Sequence, residues 1–270
     1  MCGTPLGNLE DVSIRLLKTL RKVDIIACED TRHTIKLLNR FKIKKKMVSY
    51  HKHSTPQQEE QLLGELLSGK MMALVTDAGM PGISDPGAGL IRRAIDGGVE
   101  VEVVPGPSAI TAALSISGLD TTGFMFRGFL PARRSQRQLA LQELGEIKCT
   151  LVFYEAPHRL LDSLEDMRAI WGEREMVVAR ELTKIHEQIL RGSTTDIIRY
   201  FQEHTPRGEF CLLVAGYQVP VKIADMNSII MEAESLIKGG MGKKEAFLKK
   251  AREYGLKKSD IYNYYEQIKS

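Results

Sequence analysis

Residues 71–87, M-M-A-L-V-T-D-A-G-M-P-G-I-S-D-P-G, decide the fold. The first six are an apolar, strand-like run, and the rest concentrate glycine, proline and aspartate in a turn. Gly79, Pro81, Gly82 and Pro86 specify a rigid loop there. Glycine permits positive φ and close backbone approach, while proline removes donors and fixes the path. Such a loop can meet a ligand bearing hydroxyls or an ammonium group, and Asp77 and Gly79 are expected to touch it. Asp85, just before Pro86, also fits a plain helix cap.

Outward from this stretch, residues 23–28 (V-D-I-I-A-C), 46–50 and 99–104 read as further strands. Residues 11–21, 31–41, 57–67 and 89–96 carry apolar side chains at helical spacing. Strand–helix alternation implies a largely parallel sheet covered by helices, with ligands beyond the carboxyl ends of the strands. Two more polar turns fall at that edge. V-V-P-G-P-S-A-I (103–110) flanks a glycine with prolines and offers Ser108 as an N-cap. A-C-E-D-T-R-H-T (27–34) packs Glu29, Asp30, Arg32 and His33 together. Capping by Asp30 accounts for one of these residues; catalysis or substrate orientation accounts for the set.

After residues 118–123 a second α/β unit follows, with strands at 124–126, 149–154, 175–180 and 210–215 and helices at 136–144, 157–170 and 195–203. F-Y-E-A-P-H-R-L (153–160) and A-R-E-L-T-K (179–184) follow two of its strands. Glu155, His158 and Arg159 there suit acid–base chemistry, or equally salt bridges to Arg180 and Glu181. Residues 216–227 read as a linker. Residues 228–270 are polar and helical, with Phe247, Ala251 and Tyr254 on one face. Gly255 interrupts the pattern, and Ser259 can cap a last helix bearing Ile261, Tyr264 and Ile268. Two short helices joined by a turn suit a helix-turn-helix module or a generic helical hairpin. The expected organisation is α/β: an N-terminal domain 1–118 with a mainly parallel sheet, a second domain 119–218 with a mixed sheet, and a helical tail 228–270.

The chain of 270 residues is comfortable for two domains, and 43% hydrophobic with 27% charged residues allows a real core. No apolar run approaches the roughly 18–20 residues that span a bilayer, and the N-terminus lacks the layout of a signal peptide. Four cysteines lie far apart, three of them in apolar runs, which favours a reduced cytoplasmic protein without disulfides or zinc. There is no G-x-G-x-x-G, no P-loop and no metal-spaced His/Cys set, so nicotinamide chemistry, nucleotide hydrolysis and zinc catalysis find no support. The net charge of +4 is unevenly spread. Residues 31–58 hold eight Lys/Arg and no acid, and Arg127, Arg133, Arg134 and Arg137 form a second cluster. Charge runs are commonly solvated faces, but several in one chain suit a polyanionic partner.

Taken together, these segments resemble the tetrapyrrole-methylase superfamily, and more narrowly its branch of small-subunit ribosomal RNA methyltransferases. The landmarks are G-T-P-L-G-N-L-E-D (3–11), E-D-T-R-H-T, S-Y-H-K-H (49–53), the aspartate-glycine-proline loop, P-G-P-S-A-I-T-A-A-L, G-F-L-P (128–131), Y-E-A-P-H-R-L and A-R-E-L-T-K, in family order over about the first 215 residues. The resemblance implies a cytoplasmic homodimer of two-domain subunits that uses S-adenosylmethionine, held in the cleft between domains, to 2′-O-methylate a cytidine in the decoding region of 16S rRNA. It places Leu6, Asp77, Gly79, Met80, Ser108 and Ala109 on the cofactor, with Tyr154, Ala179 and Leu212 completing the pocket. Glu29, Asp30 and Arg32 are then the catalytic group, a carboxylate taking the ribose proton and Arg32 engaging phosphate. His33, Lys44, Lys45, His51, Arg127, Arg133 and Arg134 would grip rRNA of the small subunit. No metal and no membrane enter this picture. The family's full strand before its first loop meets Met1-Cys2 here, so the strand is cut short or the start is late, which bears on Leu6. Two rival readings are a porphyrinoid C-methyltransferase with an apolar, ring-sized cleft and a non-catalytic RNA-binding assembly factor.

Overall fold

Ile25–Cys28 contains no polar side chain, and all four residues are buried. A strand with no wet face takes a central place in a parallel sheet. It forms β1, flanked by β2 (Lys46–Ser49) and β3 (Met72–Val75), both parallel to it, in the order β2-β1-β3. Cys28 pairs with Ser49 and with Val75, so all three carboxyl ends reach one edge. The computed structural model describes residues 1–218 and 225–269. Helices α1 (Ile14–Lys22), α2 (Thr31–Arg40), α3 (Pro56–Leu67), α4 (Ala88–Asp96) and α5 (Ala109–Ser117) connect or follow these strands. Their starts are written in the sequence. Ser13 accepts from the Leu16 amide, and Thr55 and Gln58 form a reciprocal capping box ahead of Pro56.

Residues 99–104, expected as a strand, make only an isolated parallel bridge, Cys2 with Val104. Met1–Gly3 lies alongside and links it to β3: the Cys2 amide donates to Leu74 O and the Gly3 amide to Val104 O, each at 3.0 Å. A single bridge builds no ladder.

The second half supplies β4 (Phe124–Phe129), α6 (Arg134–Glu143), β5 (Thr150–Glu155), α7 (Leu160–Trp171), β6 (Glu175–Arg180), β7 (Gln188–Ser193), α8 (Thr194–Glu203) and β8 (Phe210–Val214). Its sheet runs β4-β5-β8-β6-β7. Only β4 and β5 are parallel, so this sheet is mixed, as expected. The edge strand β7 escaped sequence reading. One face of the sheet packs α6, α7 and α8 through Leu141, Leu164, Phe201 and their neighbours. The other receives α5: Ile110, Ala113 and Leu114 lie against Val152, Val177 and Leu213. A helix that leaves a first-half loop is therefore glued to the second-half sheet, and residues Met1–Gly216 form one compact unit. Both sheets belong to it, one on either side of residue 118.

Tyr217–Ser270 is a second unit. Residues 219–224 of the expected linker lie outside the described residues. Three helices, α9 (Met226–Lys238), α10 (Lys243–Tyr254) and α11 (Lys258–Lys269), surround a small core of Ile229, Ala233, Phe247, Ala251 and Ile261. The expected pair of helices is thus a trio. Gly255 closes α10 in the left-handed conformation, but Ser259 lies inside α11 and does not cap it.

Gly106 marks a backbone-on-backbone contact. A Cβ there would stand 2.6 Å from the Gly3 carbonyl oxygen, and main chain cannot yield as a side chain can. Gly106→Ala is expected to cost about 1–3 kcal/mol, the range of overpacked sites, read as a lower urea midpoint with an unchanged slope. An unaltered midpoint would show that the loops can part freely.

Candidate functional site

The parallel register of β1 and β3 sets Glu29-Asp30 beside Thr76-Asp77. The Asp30 amide donates to Asp77 Oδ1 at 3.1 Å, and His33 Nδ1 stands 3.3 Å from Asp77 Oδ2. Asp77 thereby ties the loop after β3 to the first turn of α2. Thr4 fastens the same loop from the N-terminal turn: its amide and carbonyl exchange bonds with Gly79 at 2.9 and 3.1 Å, and its hydroxyl donates to Thr76 O at 3.0 Å. Gly79 has φ 77°, the conformation glycine tolerates. A Cβ on Gly3 would strike both Met80 Sδ and the Gly106 backbone. The three glycine- and proline-rich turns therefore converge.

They enclose one side of a cavity of about 390 Å³. The other side is a cross-strand row in the five-stranded sheet: Phe129 pairs with Tyr154, Tyr154 with Cys211, and Cys211 with Ala179. Leu6, Asp77, Gly79, Met80, Ser108, Ala109, Tyr154 and Ala179 all line the cavity. Leu212 does not. It pairs with Phe153 and Val178 and is buried in the core on the opposite face, and Cys211 takes the place given to it by sequence. Alternation forces this, since one residue along a strand reverses the face. Ser108 holds the N-cap position of α5, yet its side chain makes no capping bond.

Among the described residues, five acids line the cavity, Glu29, Asp77, Asp85, Glu155 and Glu209, and no Lys, Arg or His does. Their environments differ. Glu155 is buried, accepting from Ser163 Oγ at 2.6 Å and from the Ala156 amide at 2.9 Å, with Arg159 Nε 3.6 Å away. It is a structural carboxylate, paired with its own turn rather than with Arg180. Burial, then the charges of Glu29 and Asp77, push the Asp85 carboxyl up to about 6. Asp85 was legible as part of the loop, but α4 begins after Gly87 and Asp85 caps nothing. Burial, then Asp77, also raises Glu29. Asp30 is the opposite case. Hydrogen bonds from the Arg32 side chain and amide hold it down to about 2. It caps α2 and grips Arg32 Nη2 at 2.7 Å.

A second, open trough adjoins the cavity across Glu29 and Asp77, and Arg32, His51, Lys52 and His53 lie along it. Of the sequence-predicted polyanion contacts, His51 lies in the trough and His33 stands against Asp77 at its edge. Lys44 and Lys45 precede β2, whose first residue pairs with the first residue of β1, so they sit at the amino end of the strands, away from this edge. Arg127 and Arg133 are exposed on the second half. Arg134 is spent in part on Asp166 at 3.1 Å, and Arg137 is buried against the same carboxylate. Lys52 was expected only as one cation of the 31–58 run and Asp85 only as a cap; His53 and Phe129 fell inside the S-Y-H-K-H and G-F-L-P landmarks without a role of their own, and Glu209 carried no local signal. No group of three or more potential metal ligands occurs among the described residues, and no helix described is long and apolar enough to cross a membrane.

Residues 1–198 match the family model of Tetrapyrrole (Corrin/Porphyrin) Methylases. The chain is 46% identical to Ribosomal RNA small subunit methyltransferase I of Halalkalibacterium halodurans, over 99% of this chain and 94% of the relative. It is 44% identical to the protein of the same name from Synechocystis, over 97% and 95%. Among solved structures, a cobalt precorrin-4 methyltransferase superposes with a TM-score of 0.61 at 19% identity, over 79% of this chain and 92% of that one, a likeness of fold.

Proposed function

The chain belongs to the tetrapyrrole methylase family and, within it, to the ribosomal RNA small subunit methyltransferase I group, and from that premise we propose that it transfers a methyl group from S-adenosylmethionine to the 2′-oxygen of a cytidine ribose in the decoding region of 16S rRNA. One observation carries the proposal: Glu29 borders both the acid-lined cavity and the open trough along which Arg32, His51, Lys52 and His53 lie. A donor in the first and a ribose in the second would meet at its carboxylate.

The cavity suits the donor. Its volume lies in the range of small-molecule sites. Its five acids without a cation favour a sulfonium and an ammonium, and Leu6, Ala109, Ala179 and Leu182 offer apolar surface for a flat ring. Gly79, Met80, Ser108 and Tyr154 would complete the hold, with Cys211 in place of Leu212. When bound, S-adenosylmethionine supplies an electrophilic methyl whose sulfur leaves as a thioether. The same acids disfavour a porphyrinoid bearing carboxylates.

A ribose hydroxyl is a poor nucleophile while it keeps its proton. Glu29 accepts that proton as the oxygen–carbon bond forms, and its raised proton affinity helps it retain the proton afterwards. Asp30, held ionised by Arg32, is the weaker base and serves as cap and anchor. Arg32, Lys52, His51 and His53 face backbone phosphates, positioning the chain without reading sequence. Affinity for small-subunit RNA is therefore expected to fall linearly on a log–log plot against salt, with Lys52→Ala reducing the slope by about 1. A flat salt response contradicts this role. The reading includes a cytoplasmic homodimer acting on the small ribosomal subunit. Its decisive test is mapping 2′-O-methylation in 16S rRNA from cells lacking this gene; an unchanged map removes the proposal.

A further inference from the structure

The register between β4 and β5 breaks once. Phe126 pairs with Val152, Gly128 with Phe153 and Phe129 with Tyr154, which leaves Arg127 as the extra residue of a bulge. Side chains alternate between faces along a strand. In an unbroken strand Phe129 would share the face of Met125, which packs against the buried core. The bulge moves it to the face of Phe126. Both rings now meet Tyr154, at centroid separations of 5.0 Å for Phe126 and 5.8 Å for Phe129. Gly128 makes the bend possible with φ 67°, and a Cβ there would come within 2.9 Å of Ser84 Oγ on the loop after β3.

The result is a phenyl ring that lines the cavity yet remains 53% exposed. A core position was available one register step away, so the bulge spends a buried aromatic to place one in water. Bulges beside active sites re-aim side chains in this way. Tyr154, Cys211 and Ala179, in the same cross-strand row, are less exposed than Phe129, which stands at the mouth. Ile83 is the other large apolar side chain that lines the cavity and is strongly exposed, at 46%. A ribose held at Glu29 with its phosphates in the trough carries a base that needs a surface, and unpaired RNA bases stack on aromatic faces.

We propose that Phe129 is the stacking platform for the base of the target nucleotide, a positioning residue placed by the β4 bulge; this rests on the RNA ribose being the acceptor, as argued above. Its π-face orients the unstacked nucleotide while Arg127, exposed in the bulge itself, adds a neighbouring cation.

The test uses full-length Phe129→Ala, Phe129→Leu and Phe129→Trp, with donor affinity measured by calorimetry and kinetics measured on small-subunit particles from cells lacking the enzyme. Alanine and leucine are expected to lower kcat/KM about tenfold, mainly through KM, as loss of a base–aromatic stack does. Tryptophan is expected to restore it, with donor affinity within twofold throughout. Leucine behaving like the unmodified protein would reduce the ring to a greasy wall and overturn the proposal. So would an unmoved KM for alanine, or a loss of donor affinity matching the loss of kcat/KM, which would assign the ring to the donor. An unmodified protein that binds no donor would instead sink the functional reading.

Discussion

Glutamine in place of Glu29 is expected to lower turnover on unmethylated small-subunit particles by about 100- to 10,000-fold, the usual yield of a positioned base, with donor affinity nearly unchanged. The side chain keeps its shape and loses only its ability to take a proton. The pH profile gives an independent check. Burial and the Asp77 charge raise the Glu29 carboxyl above the ordinary glutamate range. A protonated acid cannot accept, so activity declines as pH falls, along a limb displaced upward from that range. Asp85, pushed up to about 6, also protonates above the ordinary carboxylate range. Asp85→Asn separates the two: if Glu29 is the acceptor, the acidic limb persists in that variant. Asp30→Ala should cost a helix cap and loosen Arg32, with a far smaller effect on turnover. Equal damage from Asp30→Ala and Glu29→Gln would move the proton acceptor elsewhere.

The second large effect is on stability. Asp166, with its side chain 1% exposed, accepts from Arg137 Nε at 2.7 Å, Gln138 Nε2 at 2.8 Å and Arg134 Nε at 3.1 Å. Burial pushes its carboxyl up, but these three donors outweigh it and hold it below the usual aspartate value. Asp166→Ala leaves the Arg137 guanidinium, 4% exposed, buried without its counter-charge. The expected cost is about 3–5 kcal/mol, as for other broken buried pairs, seen as a lower urea midpoint and melting temperature. Adding Arg137→Met should recover part of it, because an apolar pair of similar volume tolerates the site. No recovery would mean that the loss comes from packing alone. The sign with pH follows from the depressed carboxyl: this contribution is present above the unfolded aspartate value and disappears as pH falls through the folded one.

Arg137 illustrates how far the sequence could be read. A run of arginines near an invitingly basic helix looks like a phosphate grip, and nothing local reveals that Asp166, on another helix, engages two of them, Arg134 and Arg137. Lys44 and Lys45 lie elsewhere for a topological reason: a parallel strand carries its preceding loop to the end opposite the edge where Glu29 and Asp77 stand. By contrast Glu29, Asp77 and the loop after β3 follow strands whose apolar runs announce a parallel sheet, and the register then leaves them little freedom. Phe129 was invisible because a one-residue bulge changes its face without leaving a signature beyond Gly128. Cys211 against Leu212 is the same problem without a bulge; pairing with Tyr154 and Ala179, known only from coordinates, chooses between them. Residues 188–193, Q-I-L-R-G-S, hide an edge strand because β7 pairs on one side only and shows no clean alternation.

The partition formed by Glu29 and Asp77 has a kinetic implication. On the reading above, the two reactants approach from separate compartments and meet at those carboxylates and at Phe129, whose ring lines the donor cavity. A nucleotide stacked there covers the donor's doorway, so spent thioether is exchanged for fresh sulfonium only after the strand withdraws. Addition is then ordered, with the donor first.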